Sequence, residues 1–282
     1  MFAVPALLYV CALSLYPLGV LVKMSFSNVT ASDLLKPWPG AGFSNYTSLF
    51  QSQEFHSAAL NTVIYVAVVV GVGLGGGLLI ALAFTRDSRF VAVTLGLMVF
   101  VWSLPPIING DIWRFLLSSD GLINVLLRSV GFGAGVEWLI STHLVLLSVA
   151  LVNGWAAVPF AALVFRSALL DVSPELIEAT RVDGATGRQA VRHVVLPLLR
   201  PTAAVLAILM LVNAFRSFDY IYVMTSGGPG TLSTTLPYLT YEVGFGEFQY
   251  SLAAAIAVVV GVVVFVLAVF YGRSVSRQEV QA

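Results

Sequence analysis

Charge is what this sequence has least of. Of its 282 residues only 10% are Asp, Glu, Lys or Arg, against about 25% in ordinary globular chains. Fourteen basic and fourteen acidic residues cancel, so no field of one sign exists to hold nucleic acid along a face. Lysine is nearly missing. The two lysines, Lys23 and Lys36, follow Val22 and Leu35, whereas a phosphate-binding P-loop needs a lysine directly after glycine. This chain therefore cannot bind ATP in that way by itself. A single cysteine, Cys11, has no partner for an internal disulfide. The three histidines, His56, His143 and His193, are far apart, and no group of Cys, His and carboxylate residues has metal-ligand spacing. Neither G-x-S-x-G nor H-E-x-x-H occurs. The chain is expected to be neither an enzyme nor a holder of a cofactor of its own.

Apolar residues fill the space that charge leaves, at 59% of the chain against about 45–50% in globular proteins. A helix needs about 20 consecutive apolar residues to cross the hydrocarbon core. Six segments qualify, at about 2–22, 62–84, 90–110, 143–165, 201–224 and 251–271. The runs are continuous, without the alternation of a membrane barrel, and lipid leaves an unpaired backbone group no partner. The expectation is an all-α polytopic membrane protein, one domain over 1–282, with six transmembrane helices. A signal peptide is the alternative for 2–22, against which stand its length and the missing basic leader.

The loops orient the chain. Those at 84–90, 166–200 and 272–282 carry nine Arg, whereas those at 23–60, 111–143 and 225–248 carry two Lys and two Arg. Basic residues stay on the cytoplasmic side, so the first set is inside and both termini are cytoplasmic. The run from Gly71 to Gly77 matches G-x-G-x-x-G on paper, but that fingerprint belongs between a strand and a helix at an aqueous crevice. In mid-membrane, the small residues four apart (Gly71 with Gly75, Gly73 with Gly77) read instead as a helix-packing face.

The cytoplasmic loop over 166–200 carries the sharpest local signals. Ser173 is a good N-cap, Pro174 suits the first helical position and Glu175 adds negative charge to the first turn. Gly184 fits the left-handed position that ends a helix. A short helix over 174–183 is expected, followed by a second that feeds through Pro197 and Pro201 into the fifth span. On physics alone this is a solvated helical hairpin or a docking element.

Glu178-Ala179, Asp183-Gly184-Ala185 and Leu196-Pro197 resemble the "EAA" loop of binding-protein-dependent ABC importer permeases. Thr180 stands where that family often has a second alanine. Pro5, Tyr16-Pro17, Phe43-Ser-Asn45-Tyr46, Leu60-Asn61-Thr62 and Ile112-Trp113-Arg114 resemble segments of the carbohydrate-uptake type. Phe218-Asp219 with Met224-Thr225-Ser-Gly227-Gly228-Pro229 resembles the first of the two paired subunits, the one similar to the maltose and glycerol-phosphate permeases. The resemblance implies a bacterial inner-membrane permease that moves a sugar by alternating access. It implies that Glu178, Ala179, Asp183, Gly184 and Ala185 couple it to an ATPase that holds ATP and Mg. Its partners would be a second homologous permease, two ATPase subunits, an extracytoplasmic solute-binding protein and the bilayer.

Charges within a span are costly and mark function by default. The fifth span holds Arg216 and Asp219, three apart and able to pair on a helix. On a continuous helix Asn213, Arg216 and Tyr220 fall within an arc of about 60°, with Asp219 a step beyond. This face could bind sugar hydroxyls, with Phe215 or Phe218 stacking on a ring, or the charges could form a buried pair that only fixes the helix. Asn153 and Trp155 on the fourth span join the pathway candidates, with Asn109 and Asp111 behind them. Pro105-Pro106 and Pro159 are expected to kink the third and fourth spans. An ion-coupled secondary transporter is the rival reading, and it needs titratable groups at the midplane. This sequence offers little there beyond Asp219.

Overall fold

The computed structural model describes residues 3–85, 88–131 and 135–279. Helices satisfy the backbone almost everywhere. In chain order they are α1 (Ala3–Ser25), α2 (Ser44–Gln51), α3 (Gln53–Ala83), α4 (Arg89–Ser103), α5 (Pro106–Leu116), α6 (Leu122–Ser129) and α7 (Val145–Leu170). Then come α8 (Pro174–Val182), α9 (Gly187–Ala190), a π-helical turn (Val191–Val195), α10 (Leu196–Leu198), α11 (Arg200–Arg216) and α12 (Asp219–Met224). Last are α13 (Leu236–Tyr241), a second π-helical turn (Glu242–Gly246) and α14 (Tyr250–Glu279). Among the described residues there is no β-strand, only an isolated bridge between Ser27 and Gly40.

Among the described residues three helices are long and apolar enough to cross a membrane: α3, α7 and the stretch Tyr250–Val269 of α14. Two bent pairs pass the same test, α4 with α5 and Gly187–Leu198 with α11, which makes up to five. Leu13–Ser25 is a shorter apolar helix. The expected start at residue 62 falls well inside α3. The helix begins at Gln53 because the Ser52 hydroxyl accepts the Phe55 N–H at 3.3 Å.

Two of the expected spans are broken. The run 90–110 turns through 102° between α4 and α5. The Pro105-Pro106 pair makes that elbow, with Leu104 and Pro105 in extended conformations (ψ 134° and 138°). The run 201–224 is not one helix either: α11 ends at Arg216, Ser217 is extended (φ −76°, ψ 113°) and α12 starts at Asp219. Pro159, by contrast, lies inside α7 without dividing it.

α3 and α7 form the central pair. Their close approach depends on glycine. A Cβ on Gly77 would run into Ala161, one on Gly76 would lie 2.7 Å from Val158, and one on Gly154 would lie 2.8 Å from Val72. Gly73 lies under Met210 of α11, whose sulfur would be 3.0 Å from an added Cβ. The Gly73/Gly77 pair therefore packs as expected, whereas Gly71 and Gly75 face open space. Tyr65, Val69, Val149, Val152, Ala214 and Ile221 close the core above this contact.

Several motifs quoted above turn out to be ties between elements. Asn45 donates to the carbonyls of Ser25 and Ser27, and Tyr46 pairs with the Ser25 hydroxyl at 2.7 Å. Asn61 donates to the carbonyls of Thr231, Leu232 and Thr234, and the Leu236 N–H donates to Thr62. These bonds lock the Gly-Gly-Pro loop onto α3.

Candidate functional site

Two places collect the candidate residues. The first is the loop around α8. Its helix runs Pro174–Val182, one residue short of the sequence expectation. Its end has a physical cause: Gly184 stands at φ +80°, and the Ala185 N–H reaches back to the Thr180 carbonyl at 2.9 Å. That six-to-one bond across a left-handed residue is the Schellman arrangement. α9 then opens with a capping box. Gln189 N–H donates to the Thr186 hydroxyl, and the Thr186 N–H donates to Gln189 Oε1 at 2.8 Å. The Thr-x-x-Gln spacing announces such a box and belongs among the signals of this loop.

Glu178, Ala179, Asp183 and Gly184 are exposed, and Ala185 is half-buried. Leu176 is 48% and Val182 87% exposed, which places two apolar side chains on a helix that packs against little besides α9.

The second place is a cavity of about 510 Å³ where α4, α5, α7, α11 and α12 meet. That is within the usual range for small-molecule sites, about 300–1,000 Å³. Asn153, Asn213, Arg216, Asp219 and Tyr220 all line it. Asn153 donates to Tyr65 Oη at 2.8 Å and to the Ser217 hydroxyl at 3.3 Å. This second bond holds α7 against the break between α11 and α12. Asn213 donates to the Leu209 carbonyl of its own helix, leaving its carbonyl oxygen for the cavity.

The break changes the reading of the charges. Arg216 closes one helix and Asp219 opens the next, so the single-helix face does not exist. The two do not come within ion-pair distance of each other, and the buried-pair alternative falls with it. Arg216 is exposed and Asp219 half-buried, both on the cavity.

Two expected pathway residues are elsewhere. Phe218 stacks on Tyr241 with centroids 5.2 Å apart, and Trp155 meets Trp113 edge-on at 5.1 Å; neither lines the cavity. Phe215 is buried in the core and Asp111 is also outside the lining. Conversely, Trp102, Phe160 and Ser217 line the cavity without having been singled out. Nothing in an apolar run marks which of its aromatic residues will face a void. Among the described residues no group of three or more Cys, His, Asp or Glu side chains could hold a metal ion.

Residues 73–278 match the family model of the binding-protein-dependent transport system inner membrane component. The sulfoquinovosyl glycerol transport system permease of Agrobacterium fabrum is 32% identical over 89% of this chain and 82% of its own length. The diacetylchitobiose uptake system permease of Streptomyces coelicolor is 29% identical over 91% of this chain and 80% of its own. In fold, the chain is similar to a membrane subunit of a bacterial ABC transporter that imports the acidic polysaccharide alginate. The TM-score is 0.82 at 24% identity, covering 98% of this chain and 94% of that one.

Proposed function

This chain belongs to the family of binding-protein-dependent transport system inner membrane components, and from that premise we propose that it moves a sugar or sugar-like solute into the cell by alternating access. The observation that carries the reading is the cavity. Amide, guanidinium and carboxylate groups from Asn153, Asn213, Arg216 and Asp219 converge there with the phenol of Tyr220. They supply donors and acceptors for hydroxyl groups, and both helix breaks lie at its wall. Irregular backbone inside a membrane is tolerated where it lines a cavity. Two relatives named for sugar cargo, sulfoquinovosyl glycerol and diacetylchitobiose, point the same way.

On the six-span reading, with both bent pairs and α1 each counted once and the arginine-rich loops inside, both termini and α8 are cytoplasmic. Glu178, Ala179, Asp183, Gly184 and Ala185 then form the contact with an ATPase subunit that holds ATP and Mg. A second, homologous permease covers the exposed side of Asn213 and Arg216, and a solute-binding protein delivers cargo to the outer face. An affinity-tagged chain purified from its host membrane tests this: it should bring an ABC ATPase and a second permease with it. Deletion of the gene should abolish uptake of at least one sugar. A chain that purifies alone and whose loss changes no sugar uptake refutes the proposal.

A further inference from the structure

The cavity has a second wall that the charged residues of α11 and α12 do not account for, the elbow between α4 and α5. Asn109 is the telling residue. It is 3% exposed and lines the cavity, yet its side-chain amide makes no hydrogen bond to any described residue. Its amide atoms are not sealed off, since the buried and unpartnered side-chain polar atom among the described residues is Thr235 Oγ1; they stay open on the cavity that Asn109 lines, and ionisable or polar groups kept inside a span mark a pathway. The amide is free to bond whatever fills the cavity.

Trp102, on the other arm of the elbow, supplies the apolar counterpart. Its indole stacks on Phe160 at 5.5 Å and 16° between planes, yet it stays 50% exposed and lines the cavity. An aromatic ring and an unpartnered amide on the wall of one cavity can together grip a sugar. The ring covers the C–H face and the amide reads a hydroxyl. Across the 102° bend both residues line the one cavity, whereas on a straight helix positions seven apart lie two turns apart along the axis. The outer arm is also fixed to the opposite wall. Arg114 Nη1 donates to the Val223 carbonyl at 3.1 Å, and Gly110 lies against Val223. These contacts tie α5, which carries Asn109, to α12, which carries Asp219 and Tyr220.

We propose that the α4–α5 elbow is a specificity-determining half of the solute site, with Trp102 stacking on a sugar ring and Asn109 hydrogen-bonding one of its hydroxyls. This rests on the sugar-permease reading above. The probe is the radiolabelled sugar whose uptake is lost when the gene is deleted, together with its epimers, in vesicles holding the assembled complex. Asn109→Ala should lower uptake about tenfold, the loss of one polar contact of about 1.4 kcal/mol. It should also flatten the preference for that sugar over one epimer, a readout that loose packing would not move. Trp102→Ala should lower uptake similarly and Trp102→Phe should restore most of it. Co-purified ATPase subunit reports assembly. If Asn109→Ala does not assemble, Asn109→Ser and the half-exposed Trp102 variants decide. Unchanged uptake and unchanged epimer preference in assembled Asn109→Ala and Trp102→Ala complexes would overturn the elbow proposal and leave the importer reading intact. A deletion strain that loses no sugar uptake would overturn the sugar reading, and the elbow subsite with it.

Discussion

Replacing Gly184 by valine isolates the coupling loop from the rest of the molecule. Gly184 stands at φ +80°, and a Cβ built there would meet nothing within 4 Å. The penalty is therefore in the backbone, not in a clash. A left-handed conformation costs an L-residue roughly 1–2 kcal/mol, and a β-branched one more. At that size the loop abandons its present conformation by a factor of roughly 5–30, and the Ala185–Thr180 bond that ends α8 goes with it. The membrane helices should not respond, because α8 packs against α9 and its own side chains are largely exposed. In reconstituted vesicles, Gly184→Val should insert and assemble, while sugar uptake and receptor-stimulated ATP hydrolysis collapse together. Gly184→Asn is the internal control. Asparagine tolerates the left-handed region and should keep much of the uptake. Normal uptake by an assembled Gly184→Val complex would refute the reasoning. Equal loss in Asn and Val variants would show that bulk at the contact, not backbone conformation, is what matters.

Other changes probe the rest of the account. Arg216→Asp and Asp219→Arg should each depress uptake, and the double swap should not restore it, since the charges do not pair; a coupling energy of more than about 1 kcal/mol in that cycle would contradict this. Gly77→Val should destabilise the purified chain by about 1–3 kcal/mol or more through overpacking against Ala161, whereas Gly75→Ala, facing open space, should leave its thermal unfolding in detergent unchanged. In a Cys11→Ser background, an impermeant maleimide on intact cells should label a cysteine at 231 and spare one at 188. Thr231 is the better outer probe because Thr234 is 4% exposed and would be silent on either side.

What the sequence could express was length, capping and charge asymmetry. α8 was legible within a residue because Ser173-Pro174 and Gly184 act locally. α7 was legible because its apolar run is long and Pro159 does not divide it. The elbow was half legible: Pro105-Pro106 announces a kink but not a 102° turn. The break at Ser217 was not legible at all. The run 201–224 has no glycine, and its one proline, Pro201, lies in the first turn of α11. Its interruption is held by distant partners, Asn153 on Ser217 and α5 along α12. Arg216 and Asp219 stand out by the cost of charge in a membrane, Asn213 and Tyr220 by their angle to Arg216 on a helix, and Asn153 by its place on a neighbouring span. Phe218 enters as a ring for stacking and Trp155 as a neighbouring-span residue, and in the structure both turn to other aromatic rings. Asn109 looked minor until its burial and missing partners could be seen.

The measurement that bears most directly on the central claim is transport by the purified assembly. The chain, with whatever permease and ATPase co-purify, is placed in vesicles with the host's sugar-binding protein, and sugar accumulation is followed with and without ATP. The account predicts that uptake and ATP hydrolysis rise together on adding loaded binding protein, vanish without ATP and ignore collapse of proton and sodium gradients. Uptake that proceeds without ATP and stops when an ion gradient is dissipated would contradict it.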